Sequence, residues 1–207
     1  MSFTLRLAFL SLLAGGMIFP CGLLSAKSPS CVTGTLGEYI ELGAKGCTIN
    51  GDVYANFSYS ASASGGAAKI TAEQITVAPY IVAPATAKLN FSARWSVDQD
   101  QKQDSVINYT IVPPPGGTAQ VQLQLILGTA QVEGIVGSVT VNESTNVGSH
   151  IVFDRCTEVC QTKTNDWLNF DPVSVVLVKD HVSLSGGTSG ASLSEFGSAL
   201  NLCIPCV

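Results

Sequence analysis

Apolar and polar residues alternate along most of this chain, and this alternation constrains the fold more than any other feature. The cleanest run covers residues 89–97, in which the apolar positions are Leu89, Phe91, Ala93, Trp95 and Val97. A period of two places one set of side chains on a buried strand face and the other set in water. About ten such segments follow one another, separated by Gly, Pro and Ser turns, which is typical of an antiparallel sandwich or barrel. We expect an all-β fold, a jelly-roll-like antiparallel β-sandwich of about ten strands.

One short helix is predicted near the start of this domain. Thr35 and Glu38 have the spacing of a capping box, in which each side chain binds the other residue's free backbone amide. The apolar residues that follow predict a helix over residues 36–42, ended by Gly43.

Residues 1–26 are predicted to be a removable signal peptide. One cation precedes an apolar run over residues 7–19, and Ala26 offers a small residue for cleavage. Cys21 leaves open the alternative of a lipoprotein with an acylated cysteine. Cleavage would leave residues 27–207, which is enough for a single β-sandwich domain. Such a chain is expected to be secreted, and to be extracellular or periplasmic.

Charged residues are scarce, at 12% of the chain, and the formal net charge is −5. No stripe of Lys and Arg is present that could release counterions from phosphates, so nucleic acid is not expected as a partner. After the leader no apolar run reaches the length of a membrane-spanning helix, so the mature chain is predicted to have no transmembrane span. The partner classes that remain are a polysaccharide or another envelope protein.

The six cysteines after the leader predict disulfide bonds, because an even number in an exported chain is typical of an oxidised framework. Fifteen pairings of six cysteines are possible. Proximity along the chain favours three bonds: Cys31–Cys47, Cys156–Cys160 and Cys203–Cys206. In an alternative pairing, Cys203 or Cys206 reaches back to Cys156 or Cys160.

Several segments together resemble one known group of proteins. They include Tyr39-Ile40-Glu41-Leu42-Gly43, Gly46-Cys47-Thr48-Ile49, Asn56-Phe57-Ser58-Tyr59, Trp95-Ser96-Val97 and Ser105-Val106-Ile107-Asn108-Tyr109. Together they resemble exported bacterial β-rich proteins of the PEP-CTERM sorting-domain-associated group. The resemblance implies a secreted β-rich ectodomain and no particular chemistry. This chain ends in Cys203-Ile204-Pro205-Cys206-Val207 instead of a sorting tail, so exosortase sorting is not expected.

Little of the side-chain chemistry that catalysis needs is present. The sequence has two histidines, His150 and His181, and a Ser-His-Asp triad would need one of them as its base. No G-x-S-x-G nucleophile elbow accompanies them. We interpret both as surface or strand histidines and predict that the protein is not an enzyme. A hydrolase would require a pocket that joins one histidine to a carboxylate and a nucleophile.

The cysteine spacing does not favour a redox or zinc site. Cys203 and Cys206 have the CxxC spacing, but Pro205 and the strand context differ from the helix start that thioredoxin chemistry uses. Zinc held by these residues together with Cys156 and Cys160 is disfavoured, because an oxidising compartment forms disulfides first.

Three aspartates have a spacing that calcium loops use. Asp98, Asp100 and Asp104 could offer carboxylate oxygens, but Lys102 lies between them and no glycine allows the sharp bend. A solvated hairpin turn is the favoured interpretation. The sequence therefore predicts no metal and no cofactor.

Four aromatic residues, Tyr54, Tyr80, Trp95 and Trp167, could stack on sugar rings. Trp95 alternates with core residues and is expected to be buried. Trp167 lies in the 154–171 stretch, which we predict to be a long irregular loop. Trp167 is the aromatic residue we expect to be partly exposed, and it is the candidate ligand contact if the protein binds carbohydrate.

These observations favour a non-catalytic module of the cell envelope or the extracellular space, with a structural or interaction role. The alternative is a carbohydrate-binding module of the cell surface or extracellular matrix. It would use the Trp167 segment or a sheet face rich in Ser, Thr and Gln.

Overall fold

The computed structural model describes residues 28–83, 86–114 and 120–203. In those ranges fourteen β-strands form two sheets, joined by one short α-helix and one turn of 3-10 helix (Ala72–Gln74). The predicted antiparallel β-sandwich is confirmed. The strands outnumber the ten expected because very short strands, of two to five residues, extend the sheets. The predicted leader lies outside the described residues.

The first sheet has six strands in a row and a seventh beside them. In spatial order they are β1 (Gly34–Thr35), β4 (Thr76–Ala83), β5 (Thr86–Asp98), β14 (Gly190–Cys203), β7 (Gln120–Leu127) and β12 (Asn165–Phe170), with β8 (Ala130–Glu133) also paired to β14. Strand β14 pairs with β8 through its first residues and with β7 through its last, and its register with β5 shifts between Leu193 and Glu195. This long central strand therefore holds the first sheet together.

The second sheet packs against the first and has seven strands in a row. In spatial order they are β11 (Val159–Lys163), β10 (Gly148–Thr157), β9 (Val136–Thr145), β13 (Val176–Ser185), β6 (Lys102–Val112), β3 (Asp52–Ser64) and β2 (Cys47–Ile49). All pairings between named strands in both sheets are antiparallel.

The core between the sheets is built from the side chains that the apolar–polar alternation places on the inner faces. Phe91 and Phe196 stack with ring centroids 5.0 Å apart. Trp95 is 1% exposed, as predicted, and its indole nitrogen donates a hydrogen bond to the Ser105 hydroxyl at 3.1 Å. Because Trp95 is on β5 and Ser105 is on β6, this bond also joins the two sheets.

The helix α1 (Leu36–Glu41) begins at the predicted capping box. The Glu38 carboxylate accepts from the Thr35 amide at 2.7 Å, and the Thr35 hydroxyl accepts from the Glu38 amide at 3.2 Å. Leu36 and Tyr39 are buried, and the Tyr39 ring meets the Phe57 ring edge-on at 5.1 Å. The helix therefore closes one end of the core.

No helix in the described ranges is long and apolar enough to cross a membrane.

Two of the predicted disulfides are confirmed. Cys31 is bonded to Cys47, and Cys156 is bonded to Cys160. The second bond joins directly opposed residues of β10 and β11. The alternative in which the C-terminal cysteines reach Cys156 or Cys160 is therefore wrong. The predicted Cys203–Cys206 bond lies outside the described residues, because Cys206 is not among them.

The prediction of an irregular loop over residues 154–171 is wrong. That stretch contains the end of β10 and all of β11 and β12. Strand β12 alternates between exposed and partly buried residues along its whole length, and it pairs with β7 from Asn165 to Phe170. Trp167 therefore projects from a hydrogen-bonded strand.

Candidate functional site

The outer face of the first sheet carries a row of side chains that crosses five strands. Direct register partners run from Trp167 on β12 through Gln124, Ala199 and Lys88 to Tyr80 on β4. Directly opposed residues project to the same face of a sheet. Four strand spacings of about 4.8 Å place the two aromatic residues roughly 19 Å apart. We call this surface the amide face and define it by the row and its flanking amides Gln122, Asn165, Asn169 and Asn90.

Trp167 is held in place at one end of the row. Its side chain is 47% exposed, and its backbone amide donates to the Asp166 carboxylate at 3.1 Å. The same carboxylate accepts from the Ile151 amide at 2.9 Å and pairs with the Lys163 ammonium at 2.7 Å. Burial opposes the charge of Asp166, but these hydrogen bonds outweigh it and lower the pKa of its carboxyl. The Asp166 anion therefore anchors the strand under Trp167 to β10.

Tyr80 lies at the other end of the row and is 51% exposed. It is on β4, directly opposite Lys88 on β5. Beside it a depression of about 330 Å³ is lined by Tyr80, Pro79, Thr48 and Asn50, among others. The amide face is therefore bounded by an exposed aromatic side chain at each end.

Side-chain amides beside Trp167 are ordered by hydrogen bonds to one another. Gln124 donates to the Asn165 carbonyl oxygen at 3.0 Å, and Gln122 donates to the Asn169 carbonyl oxygen at 2.8 Å. Each of these bonds uses one donor of the glutamine and one acceptor of the asparagine. The glutamine oxygens and the asparagine NH₂ groups remain to bind a ligand. The face thus presents fixed donors and acceptors between the two rings.

The outer face of the second sheet is polar, and none of its described residues offers an uncovered aromatic ring. A shallow cavity of about 390 Å³ is lined there by residues that include Asn108, Ser144 and Lys179. The Phe153 ring on this face is covered by the Arg155 guanidinium, 4.4 Å from the ring centroid. An open aromatic surface is therefore a property of the first sheet.

Three ionisable side chains form a row on the inner face of the second sheet. Asp180 on β13 is directly opposite Glu143 on β9, which is directly opposite His150 on β10. The His150 ring nitrogen lies 2.7 Å from the Glu143 carboxyl, and all three side chains are buried. Tyr109 and Ser198 approach this row from β6 and β14.

Burial raises the pKa of two carboxyl groups in the second sheet, those of Asp180 and Asp52. Burial raises the pKa of Asp180 well above its usual range, and the adjacent Glu143 raises it further. Burial also raises the pKa of Asp52, on the neighbouring β3, to about 6. The pKa of Tyr109 is raised by burial and by the nearby Asp180 and Glu143 carboxyls. These groups are closed off from solvent, so their role is structural.

Both histidines lie on strands, and each contacts a carboxyl group. These carboxyl partners were not predicted from the sequence. His150 pairs with Glu143 inside the core. His181 is half-exposed, and its ring nitrogen lies 3.0 Å from the Asp104 carboxylate. Among the described residues, no hydroxyl or thiol is hydrogen-bonded to either ring.

The three aspartates whose spacing resembles a calcium loop lie in and around the β5–β6 hairpin turn. Asp98 ends β5, Asp100 is in the turn after it, and Asp104 is on β6, facing His181. In the part of the chain that the structure describes, no group of three His, Cys, Asp or Glu residues could hold a metal ion. The cysteines considered for zinc, Cys156 and Cys160, are bonded to each other.

Sequence reasoning named Trp167 and Tyr80 but not the register that aligns them. It also missed the buried carboxyl groups of Glu143 and Asp180. Their signal was present in the alternation, because Asp180 occupies the same phase as the buried Val178 and Val182. A charged residue in an inward phase predicts a buried charge in need of a partner.

No protein-family model and no curated protein matches the chain. The solved structures to which the chain is similar include the following three. TmCBM61 in complex with β-1,4-galactotriose has a TM-score of 0.28 at 9% identity, covering 67% of this chain and 86% of its own. A structure described as concerning promiscuous carbohydrate-binding modules of the β-sandwich superfamily has a TM-score of 0.20 at 8% identity, covering 84% and 61%. A family 11 carbohydrate-binding module from Clostridium thermocellum, with a β-1,3-1,4-mixed-linked tetrasaccharide, has a TM-score of 0.20 at 10% identity, covering 84% and 97%.

Proposed function

We propose that this protein is a non-catalytic module that binds polysaccharide through the amide face. One observation carries the proposal: a single row of the first sheet places exposed Trp167 and Tyr80 at its two ends, with ordered side-chain amides beside it. Aromatic rings pack against apolar surfaces with little loss of conformational entropy. The C–H faces of pyranose rings are such surfaces.

Amide side chains suit the hydroxyl groups of a sugar. Each hydroxyl of a saccharide is both a donor and an acceptor, and Asn and Gln offer both functions in one planar group. The bonds from Gln124 to Asn165 and from Gln122 to Asn169 fix these groups before a ligand arrives. Pre-organised polar groups lower the entropic cost of binding. A face that spans five strands, roughly 19 Å, fits a chain of sugars better than one small molecule.

The proposed location of the protein is outside the cytosol. A leader over residues 1–26 and the disulfides Cys31–Cys47 and Cys156–Cys160 support export to an oxidising compartment. There the module would act at the cell envelope or in the extracellular space. Membership of the PEP-CTERM-associated group stays a prediction.

A second candidate is an interaction module that binds an envelope protein. The outer face of the second sheet favours it, because Leu177 is 52% exposed there beside the cavity lined by Asn108 and Lys179. Exposed apolar residues next to polar groups are typical of protein contacts. The two candidates use opposite faces, so variants can separate them.

The test measures the affinity of the exported chain for a panel of insoluble and soluble polysaccharides. We expect Trp167→Ala to weaken binding at least about tenfold, because the variant has no indole ring for a sugar to cover. Trp167→Phe should retain part of the affinity. Leu177→Ala removes exposed apolar area from the opposite face and should leave binding unchanged. Absence of binding across the panel, or equal binding by Trp167→Ala, would refute the proposal.

A further inference from the structure

Lys88 is the fourth of the five residues in the row, next to Tyr80, and it brings a positive charge to the amide face. It lies on β5 between Ala199 and Tyr80 in the row. Its side chain is half-buried, whereas Lys45, Lys69, Lys102 and Lys179 are exposed. A lysine whose stem is packed on the sheet surface holds its ammonium in fewer positions, so an anionic partner that binds there loses less conformational entropy.

Within the described residues, the Lys88 ammonium has no ion pair. The other half-buried lysine, Lys163, has one, to the Asp166 carboxylate at 2.7 Å. On the neighbouring strand β14, the Glu195 carboxylate accepts from the Asn90 amide at 2.8 Å. Among the described residues, no carboxylate forms an ion pair with this cation of the amide face.

Gly197 on β14 gives Lys88 its position. A Cβ atom at residue 197 would overlap the Lys88 side chain and would lie 2.8 Å from its Nζ and 3.2 Å from the Asn90 side-chain oxygen. The missing side chain at Gly197 leaves a groove on the central strand, and the lysine lies across it. The ammonium therefore lies over the central strand β14 at Gly197, two residues along that strand from the row residue Ala199.

We propose that the ligand of the amide face is an acidic polysaccharide, and that the Lys88 ammonium binds an anionic substituent on one of its sugars. The substituent is a carboxylate, as in a uronic acid, or a sulfate ester. This inference rests on the proposed function. It adds that the central contact is a charge-assisted hydrogen bond, with stacking on Trp167 and Tyr80 to either side.

Because the protein is negatively charged overall, its affinity for an acidic polysaccharide would have to come from a local contact. At −5 overall, the chain repels polyanions at long range, and salt screens that repulsion. General electrostatic attraction therefore cannot account for affinity toward an acidic polysaccharide. Such affinity must come from a particular cation, and removal of that cation must abolish it.

The experiment compares three probes: polygalacturonate, the neutral galactan made by reducing its carboxyl groups, and a sulfated galactan. It measures their affinities for the wild-type chain and for Lys88→Met, which keeps the apolar stem and removes the charge. We expect wild type to bind one of the two acidic probes about tenfold or more tightly than the neutral probe. Lys88→Met should lose that preference, and Lys88→Arg should keep most of it.

Two further variants complete the design. Lys179→Met removes a lysine from the opposite face and should change nothing. Trp167→Ala should weaken binding of acidic and neutral probes alike. Equal affinity for all three probes, or a preference unchanged in Lys88→Met, would overturn this inference while Trp167 dependence still supports polysaccharide binding. Loss of Trp167 dependence would instead refute the proposed function. Circular dichroism checks that each variant is folded.

Discussion

At the scale of single residues, two buried carboxyl groups set how the stability of this protein depends on pH. The unfolded chain releases aspartate protons near pH 4, but burial keeps Asp180 protonated well above that pH and raises the pKa of Asp52 to about 6. Above pH 4 the folded state therefore binds more protons than the unfolded state. Its stability is greatest at acid pH and falls as pH rises through the two folded pKa values, by up to about 1.4 kcal/mol per pH unit for each group.

Asp180→Asn is expected to stabilise the protein at neutral pH. The amide keeps a donor toward Glu143 and needs no proton from solvent, so the cost of protonating Asp180 disappears. We expect a higher free energy of unfolding at pH 7 and a shallower fall in stability as the pH rises above about 4. The measurement is urea unfolding at several pH values.

Asp100→Asn is the matched control for this substitution. Asp100 is exposed in the β5–β6 turn with a φ of 60°, a conformation that asparagine adopts readily. Its stability should stay within about 0.5 kcal/mol of wild type at every pH. A loss of stability in Asp180→Asn at pH 7 would show that Asp180 is charged in the folded protein.

Much of this residue-scale detail can be predicted from the sequence, but not all of it. The phase of the alternation separates Trp95, which is buried, from exposed side chains such as Arg94 and Ser96 on the same strand. It also places Asp180 inside. What it cannot supply is the partner, because Glu143 and His150 become neighbours of Asp180 only through strand pairings between segments distant in the chain.

At the scale of elements, local signals that depend on a few adjacent residues are the most predictable. The capping box of α1 is such a signal, since Thr35 and Glu38 satisfy each other's amides within a single turn. Strand β12 is the opposite case. Its residues Asn165 and Asn169 have low strand propensity, and pairing with β7 overrides that preference.

Thr35→Ala is expected to destabilise the protein by about 1 kcal/mol, because the Glu38 amide at the start of α1 loses its acceptor. Thr35→Ser keeps the hydroxyl and should lie much closer to wild type. Chemical denaturation of both variants at one pH gives the comparison. Equal losses in the two variants would mean that the methyl group of Thr35, rather than its hydroxyl, carries the effect.

At the scale of the whole molecule, the sequence predicts two packed layers but not which strands lie beside one another. Strand β14 pairs with β5 and β7, and β13 pairs with β6 and β9, so the central strands of both sheets come from the last part of the chain. Alternation within each segment is compatible with many such orders. The row that joins Trp167 to Tyr80 exists only in this one, which is why the site could not be assembled from sequence.

The two disulfides should contribute unequally to the stability of the whole molecule. Cys31–Cys47 closes a loop with a sequence separation of 16, and Cys156–Cys160 closes one with a separation of 4. In the chain-entropy account a longer loop restricts the unfolded chain more, so the first bond is worth about 3 kcal/mol and the second about 2. We expect the double variant Cys31→Ser/Cys47→Ser to unfold at lower denaturant concentration than Cys156→Ser/Cys160→Ser. Non-reducing peptide mapping of each variant verifies that the other bond remains. The reverse order would mean that the β10–β11 hairpin depends on its bond to form at all, so that losing the short bond removes an element of the second sheet as well as a constraint on the unfolded chain.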